Sequence, residues 1–204
     1  MSTTRLEAFS DGVFAIAATL LVLELRVPEA GSGPLWPQIL AQWPSYATYV
    51  ISFLTIGIIW VNHHALFALM VKVDRPLLFL NLLLLMVTSL LPFPTGLMAQ
   101  WLADDQQAHV AAAILGGVYL LMGLAFGGIW LYAVLHHDLA APGFDRATAR
   151  ASIPRFTAGN VAYLIGIGLA SVSPLLSLLV YGLVAIYYVF PSLPQPRGRL
   201  VSSD

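Results

Sequence analysis

Long apolar runs separated by short polar gaps dominate this chain. A helix crosses a hydrocarbon core with about 20 residues. Six segments have that character: Ala8–Leu25, Ser45–Val71, Leu77–Ala99, Ala108–Leu135, Thr157–Val172 and Pro174–Phe190. The last two come from one stretch, Phe156–Pro191, which is too long for a single crossing and holds VSPLLS near its middle. Proline suits the first turn of a helix, where its missing N–H is no loss, so Pro174 opens the sixth segment. Pro92 and Pro94, in LLPFP, predict a kink or an end late in the third. The pattern predicts an all-α integral membrane protein, with six transmembrane helices over residues 1–191 and a short cytoplasmic, proline-rich tail over 192–204.

Charge then orients the spans. With the N-terminus inside, Arg5, Lys72, Arg75, Arg146, Arg150, Arg155, Arg197 and Arg199 lie on the cytoplasmic side, and only Arg26 lies outside. Basic residues favour the cytoplasmic side, so both termini are expected there. Five spans would send Arg197 and Arg199 across. The first apolar run has almost no basic region before it and no convincing cleavage site, so it reads as a spanning helix rather than a signal peptide. Only 9% of residues are charged, against about 25% in soluble domains, and the net charge of -1 speaks against a nucleic-acid partner. Cysteine is absent, which excludes disulfides and thiolate catalysis. No Walker loop, zinc-ligand spacing or dinucleotide glycine pattern appears, so neither a cofactor nor an enzyme activity is expected.

The first span carries the unusual chemistry. It opens FSDGVFAIAATLLVL, which places the ionisable Asp11 inside a membrane helix, where it needs a partner or a role. At 100° per residue, Phe9, Gly12, Ile16, Leu20 and Leu23 form one stripe. Ala8, Asp11, Ala15, Ala18 and Val22 form a second, mostly of small residues, which reads as a face for close helix packing. The bulky stripe is compatible with lipid contact, core packing or the lining of a pore.

The second span has a polar cluster, Trp60, Asn62, His63 and His64, at a depth matching that of Asp11. A hydrogen-bonded group linking Ser10 or Asp11 to these residues would satisfy polar atoms that lipid cannot. Arg5 is a further candidate partner for Asp11, from a neighbouring helix. Adjacent histidines diverge by 100° on a helix, which spoils bidentate metal capture, so no metal site is expected. A proton relay through Asp11 and a histidine is the livelier alternative. His136, His137 and His109 read as wet helix ends, and the Gly116–Gly117, Gly127–Gly128, Gly159, Gly166 and Gly168 positions as close helix contacts. Glu24 and Glu29 beyond the first span are candidates for attracting cations at an outer mouth, opposed by nearby Arg26.

Arg5-x-x-x-Phe9-Ser10-Asp11 followed by GVFAIAATLLVL resembles the signature of the bacterial relatives of the lysosomal potassium channel transmembrane protein 175. One copy of the motif with six spans resembles the bacterial, unfused form. The resemblance implies a homotetramer whose first helices line a central pore, without the TVGYG filter of ordinary potassium channels. It places the pore constriction at Ile16, with Leu20 and Leu23 deeper, and gives the FSD group a structural role between helices. It implies a cation channel weakly selective for potassium over sodium. The partners are then potassium and other monovalent cations, the lipid bilayer and three further copies. The alternative is a proton-coupled or other secondary transporter using Asp11 and a second-helix histidine, although broken or polar midplane segments are missing from the first helix.

Overall fold

The computed structural model describes residues 3–104, 106–136, 138–141 and 146–190. The tail over 192–204, with Arg197 and Arg199, and the residues Asp105 and His137 lie outside the described residues. Helix α1 (Thr3–Leu20) tightens into a 3-10 turn over Leu21–Glu24. After a loop come a short α2 (Leu35–Ala41), α3 (Trp43–Phe67), α4 (Arg75–Leu90) and α5 (Pro92–Trp101). They are followed by α6 (Ala108–Leu135), a short α7 (Arg146–Ala151), α8 (Ile153–Ala170) and α9 (Pro174–Val189). Among the described residues, four spans are long and apolar enough to cross a membrane: Thr3–Glu24, Trp43–Phe67, Arg75–Trp101 and Ala108–Leu135. The short α2 and α7 were not legible in the hydropathy pattern, being loop helices of 7 and 6 residues.

Local chemistry explains the boundaries. Asp74 caps α4, its Oδ1 accepting from the Leu77 N–H at 3.0 Å, with Pro76 in the first turn. At Leu91 the ladder shortens to an i−3 bond, Leu91 N–H to the Thr88 carbonyl at 3.1 Å, and the helix resumes at Pro92 as α5. Pro92 and Pro94 lack the N–H groups a continuous helix needs, so the predicted interruption falls here. The long final stretch divides at Ser171–Ser173, with Pro174 in the first turn of α9 as its sequence suggests. The start of α8 lies four residues before the predicted Thr157, because Pro154 takes a first-turn position.

Helix α6 is the axis of the packing, with α4, α5, α8 and α9 laid against it. Its buried side includes Ala111, Ala112, Leu115, Tyr119, Met122, Phe126 and Trp130. Tyr181 of α9 lies against Gly116 and Gly166, where a Cβ would collide with its ring, and donates its hydroxyl to the Ala112 carbonyl at 3.1 Å. By contrast, Gly117, Gly127 and Gly168 have open space at the Cβ position, so close packing does not explain those three.

A buried hydroxyl chain joins three helices. Thr95 donates to the Leu91 carbonyl at 2.9 Å, so it must accept from Ser52 at 2.7 Å. Ser52 in turn accepts from Tyr119 at 2.8 Å. At the end where α1 begins, the α3–α4 and α6–α7 connections meet in an antiparallel bridge between Met70 and Ala140. Val71 N–H donates to the Leu139 carbonyl and Ala141 N–H to the Leu69 carbonyl, both at 2.9 Å. Lys72 and Asp138 pair beside it at 3.2 Å, and Tyr132 donates to Asp74 at 2.6 Å. At the opposite end His109 is not the exposed cap neighbour expected from its position. It is half-buried and donates its Nδ1–H to the Ala170 carbonyl, the last residue of α8.

Candidate functional site

Helix α1 packs on α3 and α4 and is the least covered of the four long spans, 28% buried against 50% for α6. The side it turns into the protein is Leu6, Ser10, Phe14, Ala17 and Leu21. These residues recur every three or four positions, as one helical face must. Ala8, Asp11, Ala15 and Val22 are instead exposed within the chain and Ala18 is half-buried, so the small-residue stripe is not the buried face expected of it. When every face of a helix is apolar or small, a helical wheel groups residues correctly but does not say which group looks inward.

The bulky stripe is the most open part. Ile16 is 61% exposed, Leu20 41% and Leu23 72%, and Phe9 at the motif is 56% exposed. These side chains are only partly covered by the described residues. A groove beside them, lined by Phe9, Val13, Ile16 and Leu20 of α1 and Leu82 and Met86 of α4, is almost wholly apolar.

Behind this face sits a directed hydrogen-bond chain. Ser10 must donate to the Leu6 carbonyl, at 2.9 Å, because that oxygen only accepts. Ser10 Oγ therefore accepts from the Asn81 Nδ2 amide at 3.0 Å. That turns Asn81 Oδ1 toward His63 Nε2 at 2.7 Å, so Nε2 carries the proton. Nδ1 of His63 is buried and, among the described residues, has no hydrogen-bond partner. The imidazole is held edge-on to Phe14 at 5.3 Å and tilted against Phe67 at 4.5 Å. Ser10, His63 and Asn81 are all essentially inaccessible.

Asp11 lies one residue on and 100° around. Its Oδ1 accepts the Trp60 indole N–H at 2.8 Å. His64 faces Glu7 at 3.5 Å, nearer the helix start. The polar cluster of α3 thus meets α1 at three depths, but two expected members stand apart. Asn62 points away from Asp11, donating to the Ile58 carbonyl at 2.8 Å and lining a cavity among other helices. Arg5 is exposed and, among the described residues, contributes no bond to the network. The member the sequence reading missed is Asn81, whose signal was a lone amide in the run LFLNLLLLMV. At the end of the 3-10 turn, the half-buried Glu24 carboxylate rests over Gly96 of α5, while Glu29 beyond it is exposed. Among the described residues, Arg26 forms no ion pair with either. Among the described residues, no group of three or more metal-ligating side chains occurs.

Residues 5–92 match the family described as endosomal/lysosomal potassium channel TMEM175. The chain is 51% identical over 193 residues to a potassium channel of Streptomyces collinus, covering 94% of each. The chain belongs to the TMEM175 family. It is also 40% identical to a potassium channel of Chamaesiphon minutus over 93% of its own length and 95% of the relative's. The crystal structure of a lysosomal potassium-selective channel TMEM175 homolog from that organism superposes with a TM-score of 0.85 at 38% identity, covering 94% of this chain and 98% of the other. The endosomal/lysosomal proton channel TMEM175 of Gallus gallus is 35% identical over 72% of this chain, which spans 31% of that longer relative. The stretch matched by the TMEM175 family contains Ser10, Asp11, Trp60, His63 and Asn81 together with Ile16, Leu20 and Leu23.

Proposed function

We propose that this chain is a potassium-permeable cation channel, weakly selective for potassium over sodium. Four copies assemble around a central axis, and each contributes α1 to the pore wall. The observation that carries the reading is the uncovered apolar stripe Ile16–Leu20–Leu23 on the least-covered span of a membrane protein. Relatives along nearly the whole chain are potassium channels, which supports the same conclusion.

Four-fold symmetry turns one side chain per helix into a ring. Four Ile16 side chains form a constriction too narrow for a fully hydrated cation. Shedding part of the water shell costs more for sodium than for the larger potassium, so an apolar ring discriminates weakly without coordinating oxygens. Leu20 and Leu23 continue the apolar section, and Glu24 and Glu29 draw cations to the outer mouth. The Ser10–Asn81–His63 chain and the Asp11–Trp60 bond hold α1 against α3 and α4, so the rings keep their positions.

In this reading α8 and α9 also cross the membrane, giving six spans. Their 18 and 16 residues rise about 27 and 24 Å, close to the roughly 30 Å hydrocarbon core. Both termini then lie in the cytoplasm of a bacterium and the chain in its inner membrane, with the cytoplasmic ends carrying all the basic residues except Arg26.

The test is ion flux in proteoliposomes holding the purified protein. A potassium gradient alone should drive rapid flux with no counter-substrate. Flux that requires an opposing proton gradient would instead identify a coupled transporter.

A further inference from the structure

A cavity of about 50 Å³ lies among α3, α6, α8 and α9, away from α1 and its hydrogen-bond chain. Its walls are mostly apolar, with Ile58, Met122, Phe126 and Phe156 prominent. Several polar groups at its edge are already engaged. Tyr119 donates to Ser52, Thr55 to the Ile51 carbonyl and Tyr188 to the Arg155 carbonyl. Asn160 and Tyr163 differ. They sit three residues apart on one face of α8, both line the cavity, and among the described residues neither side chain has a hydrogen-bond partner. Tyr163 is only 8% exposed, so its hydroxyl has nowhere to turn but into this space.

We infer that the cavity is a hydration site holding a small cluster of ordered waters on the Asn160 amide and the Tyr163 hydroxyl. A water requires about 10–15 Å³ measured this way, so the space accepts on the order of three. A benzene-sized guest occupies a cavity of about 150 Å³, which excludes an enclosed ring. Asn160 lies seven residues beyond the start of α8, roughly 10 Å along its axis, too deep for its amide to reach bulk water easily. An amide without a partner at that depth is strongly disfavoured, whereas each water offers two donors and two acceptors in a small volume. The cluster also reaches α3 through Asn62 and Thr55 at the cavity's far wall. It therefore gives α8 a polar connection to the helix that carries His63.

Two measurements on the full-length protein in lipid nanodiscs decide this. A density map that resolves single waters should show separate peaks within hydrogen-bond distance of Asn160 and Tyr163. Continuous density, as from an acyl chain, or an empty cavity would overturn the inference. Asn160→Leu supplies the second readout, because it removes the amide at nearly constant volume. If waters satisfy the amide, the variant melts within about 2 °C of wild type. A rise of about 4 °C or more would mean that the amide stands unpaired in a dry cavity, which would equally overturn it.

Discussion

The Trp60 indole N–H reaches Asp11 across 2.8 Å, bridging 49 residues of sequence. Its neighbour Ser10 is buried and joined to Asn81, and Phe9 is exposed. Three consecutive motif residues thus face three ways: out of the chain, into its core, and along the seam with α3. An ionisable group inside a membrane helix is tolerable here because a neutral donor meets it without a second charge.

Trp60→Phe keeps the ring and removes the donor, and Asp11→Ala removes the acceptor. In the proposed tetramer, each should lower the fraction assembled in mild detergent, by about 0.5–1.5 kcal/mol, the net worth of one accessible hydrogen bond. Their double variant should cost little more than either alone, because both delete one bond. Mass photometry across a dilution series measures this. Normal assembly with a changed pH dependence of transport would favour a proton relay through Asp11.

Asn81→Leu should be more damaging than either. It leaves the Ser10 hydroxyl without its donor and the His63 Nε2–H without an acceptor, both in fully buried positions. The stranded His63 N–H costs roughly 1–3 kcal/mol, and the Ser10 oxygen, which keeps its bond to the Leu6 carbonyl, adds less. Thermal unfolding of the purified protein should show the loss. A melting point like wild type would mean that other groups take over both bonds.

In the proposed tetramer, Ile16→Asn would place four amides where four branched alkyl groups stand. Water and partly hydrated ions should enter more easily, raising current and moving the potassium-to-sodium permeability ratio toward one. Leu20→Ala should raise current with a smaller loss of selectivity. The reversal potential under bi-ionic potassium and sodium reads both. An unchanged value in a well-assembled Ile16→Asn protein would remove Ile16 from the constriction.

Glu24→Gln combined with Glu29→Gln should reduce cation conductance in dilute salt and have less effect in concentrated salt. The Debye length falls from about 30 Å at 0.01 M to about 3 Å at 1 M, so a steering field acts only in the first condition. Equal reductions at both concentrations would exclude steering by these carboxylates.

The sequence exposed much of the scaffold because membrane spans are written in composition. The break at Pro92, the division before Pro174 and the extent of α6 follow from local rules and need no tertiary information. The meeting of Asp11 with Trp60 could be anticipated by counting depth along two antiparallel helices. Asn81 escaped because it lies on a third helix, whose angular position depends on packing. Asn62 misled for a related reason: it shares a depth with Trp60 and His63, but its azimuth takes it to the cavity side. The inward face of α1 was equally hidden. Lipid, pore and protein interior all accept apolar side chains, so hydropathy alone does not separate them.

The bridge between the α3–α4 and α6–α7 connections is made wholly by main-chain groups, Val71 to Leu139 and Ala141 to Leu69. Its strength is therefore indifferent to side-chain identity along the strap. As far as the bridge is concerned, positions 69, 71, 139 and 141 tolerate other side chains, whereas Lys72, Asp74 and Asp138 add side-chain bonds beside it. The prohibited exchange is proline at position 71 or 141, which would delete a fastening N–H and let the two loops swing independently.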